Sequence, residues 1–233
     1  MVDYSTYVSQ LENMIAEDPD DANFQGIIPA VINYAEMRIY RELDLISTIT
    51  RDTSASLTAG NPNGSASSQF VTVQGVNLLT PAGQSVSMAK RNQLVPVSKE
   101  VLYTLWGDPS VTGQPTMYAM VDQWAMLFGP SPDAGYGLEV YGTIRPAPLS
   151  PTNTTTFLTT YLYDLFFAAS MIFVSGWMRN FSSSGNDPQM PVNWEQQYSK
   201  LFASANVEEL RKKDWSVAWT AFSPTPLAQP DRG

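Results

Sequence analysis

Apolar residues recur in this chain with two different periods, and the two periods occupy different stretches of it. At the start the spacing is helical: Tyr4, Tyr7, Val8, Leu11, Met14 and Ile15 line one face of a helix predicted over Tyr4 to Glu17. Asp18-Pro19-Asp20-Asp21 breaks it, since proline lacks an N–H and restricts the residue before it. A second stripe (Phe24, Ile27, Ile28, Val31, Ile32, Ala35, Ile39, Leu43) predicts a helix from about Phe24 to Leu43. Asn23 is its expected N-cap, and Pro29 is tolerable where it falls in the first turn. From Ile46 onward the texture is that of strands. Alternation over Ile46 to Leu57 predicts a strand, and Thr58 to Ser68 (TAGNPNGSASS) a loop. Phe70 to Val73 and Val76 to Leu79 predict a hairpin about Gln74-Gly75, and Gln93 to Val97 a strand. Ser98 caps a short helix to Trp106. Pro115 to Val121 and Trp124 to Phe128 predict a second hairpin about Asp122-Gln123, with Leu138 to Arg145 as its third strand.

Helical spacing then returns. A long apolar helix is predicted from Phe157 to Met178 after a Pro-rich connector (Pro146, Pro148, Pro151). A last amphipathic helix runs from Val192 to about Lys213, with Tyr198, Leu201, Phe202, Ala205 and Leu210 on its stripe. Beyond Asp214, Pro224, Pro226 and Pro230 predict an irregular, extended tail. Helices segregated from strands argue an α+β protein. The expected division is a helical bundle from the N- and C-terminal helices (1–45 and 152–213), a β-rich central insertion (46–151) and a C-terminal tail (214–233). No internal repeat is visible.

Composition narrows the function. The 233 residues include no His and no Cys. Histidine is the commonest general base, and thiolate is both nucleophile and metal ligand. Ser-His-Asp and Cys-His catalysis, zinc fingers and disulfides are therefore excluded. The charged fraction is 15%, which leaves a surface rich in Ser, Thr, Asn, Gln and Gly. A net charge of −9 offers no general attraction to nucleic acid. Met1 to Ser5 lacks the basic and apolar regions of a secretory leader. Phe157 to Met178 is about long enough to span a membrane, but it contains Asp164, several hydroxyls and no basic flank, so a buried core helix is expected and no membrane contact.

Chemistry-bearing patterns are sparse. The acidic run Glu17, Asp18, Asp20, Asp21 lacks the DxDxDG order and trailing Glu of a calcium loop. Glu100, Asp108, Asp122 and Glu139 lie in different predicted elements, and nothing pairs two of them across a cleft. Ser98-Lys99 and Ser199-Lys200 are adjacent pairs rather than Ser-x-x-Lys. Gly60 to Gly64 and Gly135 to Gly137 read as turns, not phosphate cradles. No catalytic residue, metal or cofactor is expected. Arg38 and Glu42 stand one helical turn apart and can pair on the surface; with Arg41 they equally suit an inter-subunit contact. Trp215 and Trp219 follow the basic run Arg211-Lys212-Lys213, with Phe222 at the start of the Pro-rich terminus. They can fold back on the core, and as aromatic anchors they also suit docking to a partner.

Ile28 to Leu43 (IPAVINYAEMRIYREL) resembles the IPxxIxxAExRIxREL helix of head-to-tail adaptor proteins of short-tailed bacteriophages. Gly113 to Tyr118 resembles that family's G-x-P-x-x-Y strand entry, and Trp124 to Pro130 its x-L-x-L-x-P-x-P strand. Tyr141 to Leu149 and Leu162 to Ala169 resemble its later strand and its Y-P-D-L helix start, so the likeness runs from about Tyr4 to Leu210. The stretch Asn61 to Pro81 is longer than the family pattern, and the tail after Trp215 carries no family motif. The resemblance implies a virion structural protein, made in the host cytoplasm and placed at the head-to-tail interface. It implies a homo-oligomeric ring, twelve-fold to match the portal protein, that carries the tail nozzle protein. DNA would pass through without sequence-specific binding. Twelve copies would bring on the order of a hundred excess negative charges to such a channel, repelling a DNA backbone rather than gripping it. The rival readings from the residues are a carbohydrate-binding or carbohydrate-cleaving virion protein, using Trp106, Trp124 and Tyr136, and a minor capsid or decoration protein.

Overall fold

The computed structural model describes residues 2–15, 21–178 and 189–221, with side chains as far as 213. The chain forms two compact units, one from residues 1–46 and 146–233 and one from 47–145. Helix α1 (Tyr4–Ile15) buries Tyr7, Val8, Leu11 and Ile15, four members of its expected stripe. Helix α2 (Ala22–Glu42) starts earlier than its spacing predicts, because Asp21 and not Asn23 is the N-cap: its carboxylate accepts from the Asn23 N–H at 2.8 Å. Pro29 consequently lies inside the helix rather than in its first turn. The buried face of α2 is Phe24, Ile28, Val31, Ile32, Ala35, Glu36 and Ile39. The acidic run at 17–20 lies outside the described residues.

In the second unit a 3-10 turn at Ile46–Thr48 leads into β1 (Ile49–Asp52). Next come β2 (Asn63–Ser65), β3 (Phe70–Thr80), β4 (Lys90–Gln93) and β5 (Val95–Pro96). Helix α3 (Lys99–Trp106) follows, capped by Ser98 as expected. Five short strands complete the unit: β6 (Thr112–Gly113), β7 (Met117–Met120), β8 (Ala125–Gly129), β9 (Ser131–Pro132) and β10 (Gly137–Ile144). One sheet has the order β1-β10-β3-β4, all antiparallel, a second has the order β2-β8-β7-β5, and β6 and β9 form a separate parallel pair. Val76, Leu78, Leu138 and Val140 of the first sheet share a core with Tyr118, Met126 and Phe128 of the second.

Three expectations are corrected here. Residues 70–80 form one strand, not a hairpin. Val73 faces Gly142 and Gly75 faces Tyr141, so Gln74 is an extra residue, accommodated as a bulge in a continuous ladder with β10. Its amide donates to Thr143 Oγ1 at 3.1 Å. The 58–68 stretch contains strand β2, because Gly64 lets the chain pass against Phe128 and Leu57, which an added Cβ would meet at 2.8 and 2.9 Å. The Leu138 to Arg145 strand does not extend the β7–β8 hairpin; it pairs with β1 and β3 in the other sheet. The hairpin itself forms as expected, and its turn is held by Asp122 Oδ1, which accepts from Trp124 N and Ala125 N at 2.8 and 2.7 Å.

The chain returns to the helical unit through Thr156, which closes a capping box with Thr159 on α4 (Phe157–Tyr161). Leu162, at φ −128° and ψ 37°, ends α4, so the long apolar stretch is two helices; α5 spans Tyr163–Met178. No described helix is long and apolar enough to cross a membrane. Helix α6 (Met190–Ala221) continues past Lys213, where the tail was expected to begin: residues 214–221 are helical, and no proline occurs between Pro191 in its first turn and Pro224. Residues 222–233, with Phe222, lie outside the described residues. The core of this unit centres on Tyr7, stacked on Phe166 with centroids 4.7 Å apart, its hydroxyl 2.6 Å from Ser170 Oγ.

Two glycines of the second unit test the β3–β10 register. A Cβ on Gly142 would meet Thr72 O at 2.3 Å, whereas one on Gly75 would meet nothing within 4 Å. Gly142→Ala is expected to destabilise by about 1–3 kcal/mol or more, and Gly75→Ala to stay within about 0.5 kcal/mol. Urea unfolding followed by a strand-unit probe measures both.

Candidate functional site

Of the residues singled out for contact, Arg38, Arg41 and Glu42 lie on α2 and Trp215 and Trp219 on α6 of the helical unit. Arg38 leaves α2 on its half-buried flank, where α6 presents Glu195. Its two terminal nitrogens donate to Glu195 Oε2 and Oε1 at 2.8 and 2.6 Å, a two-pronged pairing that fits the planar guanidinium. Its Nε donates to Glu42 Oε1 at 3.1 Å, and the guanidinium lies 4.1 Å from the Tyr198 ring centroid. Tyr198 donates its hydroxyl to the other Glu42 oxygen at 2.7 Å. The expected Arg38–Glu42 pair therefore exists, but as part of a four-residue network that also holds α6. The hydrogen bond from Arg38 holds the Glu195 carboxyl below the ordinary range, while burial and the Glu42 bond push the Tyr198 hydroxyl up.

The seam continues toward the end of α2. Glu209 is buried, accepts from Ile46 N–H at 3.2 Å, and is paired by Lys212 at 2.6 Å. Lys213 pairs with Asp44. Arg41 is different. It is exposed and makes no bond within the four-residue network, although with Ala30, Asn33, Tyr34, Met37, Arg38 and Glu42 it lines one concavity along the outer face of α2. Trp215 and Trp219 lie in α6 rather than in an irregular tail, and their side chains are outside the description.

Glu195, Tyr198, Glu209 and Glu36 were not anticipated as polar partners. Tyr198 was visible only as an apolar stripe position. Glu36 carried a readable signal: it stands four residues after Ile32 and three before Ile39, inside the buried stripe. The residue is 3% exposed, and its carboxyl accepts from the Leu149 N–H at 3.0 Å, pinning the returning connector. Burial pushes its pKa to about 7, against the opposing Leu149 bond.

The carboxylates considered for catalysis each serve local structure; Glu100, in the first turn of α3, bonds its own backbone N–H and the Ser98 side chain. Asp108 and Asp122 cap turns, accepting from Ser110 and from Trp124 and Ala125. Glu139, fully buried, has both oxygens within reach of Arg91 Nε, at 2.8 and 3.2 Å, and accepts from Asn77 and Tyr141. Burial pushes its pKa up, but these hydrogen bonds outweigh burial and hold it below the ordinary range. Tyr136 is buried on Asp133, and Trp124 Nε1 donates to Phe70 O at 3.0 Å. Among the described residues no group of three acidic side chains could hold a metal ion.

Two substitutions separate structure from surface. Arg38→Ala leaves Glu195 and Glu42 without their shared cation and is expected to cost roughly 1–2 kcal/mol; Arg41→Ala is expected to stay within about 0.5 kcal/mol. Thermal unfolding of both variants checks this. Glu36 has a folded pKa above its unfolded value of 4.5, so it destabilises once the pH passes through that range toward 7. Glu36→Gln should therefore gain on the wild type, by up to roughly 3 kcal/mol above pH 7, with the gap closing below about pH 4.5. Urea midpoints across pH 4–8.5 read it directly.

No curated protein matches the chain. The family model described as SU10 adaptor protein matches residues 3–225. A polar seam built for holding helices together, carboxylates engaged by their own turns and strands, and a family match over nearly the whole length agree with the resemblance in the sequence: the chain belongs to the SU10 adaptor protein family, a family of phage structural proteins.

Proposed function

We propose that this chain is a head-to-tail adaptor that assembles as a closed, twelve-fold ring between portal protein and tail nozzle protein in the virion, with a channel through which DNA passes. The family match over residues 3–225 carries the reading. A ring requires side-to-side contacts between different faces of identical subunits. The outer face of α2, with Tyr34, Met37 and Arg41 exposed or half-buried, is suited to one such contact. Arg38 and Glu42 act indirectly, by fixing the end of the helix that presents Arg41. Trp215, Trp219 and Phe222 are proposed to engage a neighbouring subunit or the portal.

The protein is proposed to be no enzyme. It lacks His and Cys, and the carboxylates weighed for catalysis at Asp108, Asp122 and Glu139 are bound into turns and a sheet. DNA is proposed to slide past without being gripped, consistent with the −9 charge of each copy.

Native mass and negative-stain images of the protein mixed with its portal are expected to show a twelve-fold adaptor ring on the portal; trimers or hexamers would point to a decoration protein instead. Arg41→Ala is expected to weaken that complex by about 1–2 kcal/mol at unchanged subunit stability. Removing residues 214–233 is expected to reduce portal binding, and undiminished binding would take the tail out of the interface.

A further inference from the structure

In the β-rich unit, one pair of arginines carries more charge than its surroundings use. On one face of the β1-β10-β3-β4 sheet the register sets Arg51 of β1 opposite Tyr141 of β10, Asn77 of β3 opposite Glu139, and Arg91 of β4 opposite Leu79. Val76, Leu78, Leu138 and Val140 occupy the other face and belong to the core. Strand alternation therefore places both arginines on the outward side. Among the described residues, Glu139 is the one acid at the strand positions of this face. Two cations share one carboxylate.

Glu139 does not need the second cation. Its side chain is fully buried, and Arg91 Nε donates to its two oxygens at 2.8 and 3.2 Å. Asn77 Nδ2 donates at 3.4 Å, and the Tyr141 hydroxyl completes the set. The buried charge is thus matched and hydrogen-bonded by its own neighbours. Arg51 Nη1 stands 3.8 Å from Glu139 Oε2, a charge contact too long for a hydrogen bond, and its side chain is 53% exposed. A surface pair of that geometry contributes little to stability. Toward the described residues the Arg51 guanidinium directs no hydrogen bond, and Arg91 directs none from Nη1. Both groups nonetheless reach the same oxygen of Glu139. The buried acid holds them side by side against their mutual repulsion, with free donors facing outward.

Two adjoining guanidinium groups with free donors are the chemistry that receives a phosphate. A carboxylate has two oxygens in one plane and is satisfied by one guanidinium, whereas a tetrahedral phosphate presents oxygens to two at once. The charge also matches: two arginines and one glutamate leave a single positive charge, which one phosphodiester group neutralises. The surrounding unit opposes an anion only weakly. Residues 47–145 hold five Lys or Arg against six Asp or Glu, a net of −1, while the whole chain carries −9. We propose that Arg51 and Arg91, positioned by Glu139, form a phosphate-binding site on the outer face of this sheet. The phosphate is supplied either by a nucleic-acid backbone or as the free ion. The site stands on the geometry of the β-rich unit and not on the ring reading. One net positive charge per copy is a touch rather than a grip, which accords with DNA sliding past an acidic protein.

NMR of the isotope-labelled full-length protein follows the arginine Nε–H signals during titration with sodium phosphate, at an ionic strength held constant with sodium chloride. The Arg51 and Arg91 signals are expected to move saturably. Arg38, whose donors are taken by Glu195 and Glu42, is the internal reference and should stay. Arg51→Ala should weaken phosphate by about five-fold or more. Its thermal unfolding should match the wild type, because Glu139 keeps Arg91, Asn77 and Tyr141. A second titration, with a short DNA duplex, separates the sources. Backbone phosphate moves the same two signals, and Arg51→Ala then lowers the slope of log affinity against log salt by about 0.9, one phosphate contact; a site for the free ion leaves both signals unmoved by DNA. No saturable movement with phosphate, movement that Arg51→Ala leaves unaltered, or a stronger response to an oligoglutamate peptide than to phosphate overturns the proposal. Native mass with portal reads the ring separately: Arg51→Ala should assemble as the wild type does, and a ring lost in that variant alone would make Arg51 a protein contact instead.

Discussion

The apolar face of α2 is the constraint around which the rest of the molecule is arranged. Phe24, Ile28, Val31, Ile32, Ala35 and Ile39 cannot be covered by local neighbours alone, and α5, which packs on them, lies more than a hundred residues later in the chain. The Tyr7 hydroxyl reaches Phe166 O across 159 residues of sequence. Loop-closure entropy grows only with the logarithm of loop length, so a core made from two distant segments is affordable if the stretch between them folds by itself. Residues 47–145 form a compact unit with a core of their own between two sheets. The return of the chain is then pinned, by Glu36 to Leu149 N–H and by Tyr4 N–H to Thr154 O at 2.8 Å.

Charge in this protein is spent largely on holding elements in place. Arg38 joins α2 to α6, Glu209 takes up the N–H of Ile46, and Glu139 gathers Arg91 and Asn77 across three strands. Each is a charged hydrogen bond at least partly shielded from water, where such bonds are strongest and a missing partner is costliest. The exposed surface carries, beside charges such as Arg41, large apolar side chains such as Met14, Tyr103 and Leu105. Those groups suit extended contact with other protein better than they suit catalysis, which needs titratable groups converging on one point.

Much of this was legible in the residues. The α1 and α2 stripes, the Ser98 cap and the Asp122 turn are local patterns, and they hold in the structure because a helix or tight turn is decided within a few residues. The Arg38–Glu42 pair was legible for the same reason. Its completion by Glu195 and Tyr198 was not, since those residues lie far along the chain and announce no partner. The Gln74-Gly75 pair read as a turn because local composition cannot distinguish a turn from a bulge; only the ladder with β10 does.

By itself, the sequence determined the helix and strand periods, their segregation along the chain, the absence of imidazole and thiol chemistry, and the match to the adaptor family. Tertiary structure alone decided that β10 joins β1 and β3 instead of the nearer hairpin, that Glu36 is a buried acid, and that Arg38 bridges two helices. The physical reason is range. Periodicity and capping are set by neighbours three or four residues away, whereas strand pairing and the burial of a charge depend on segments that meet only after the chain has closed on itself.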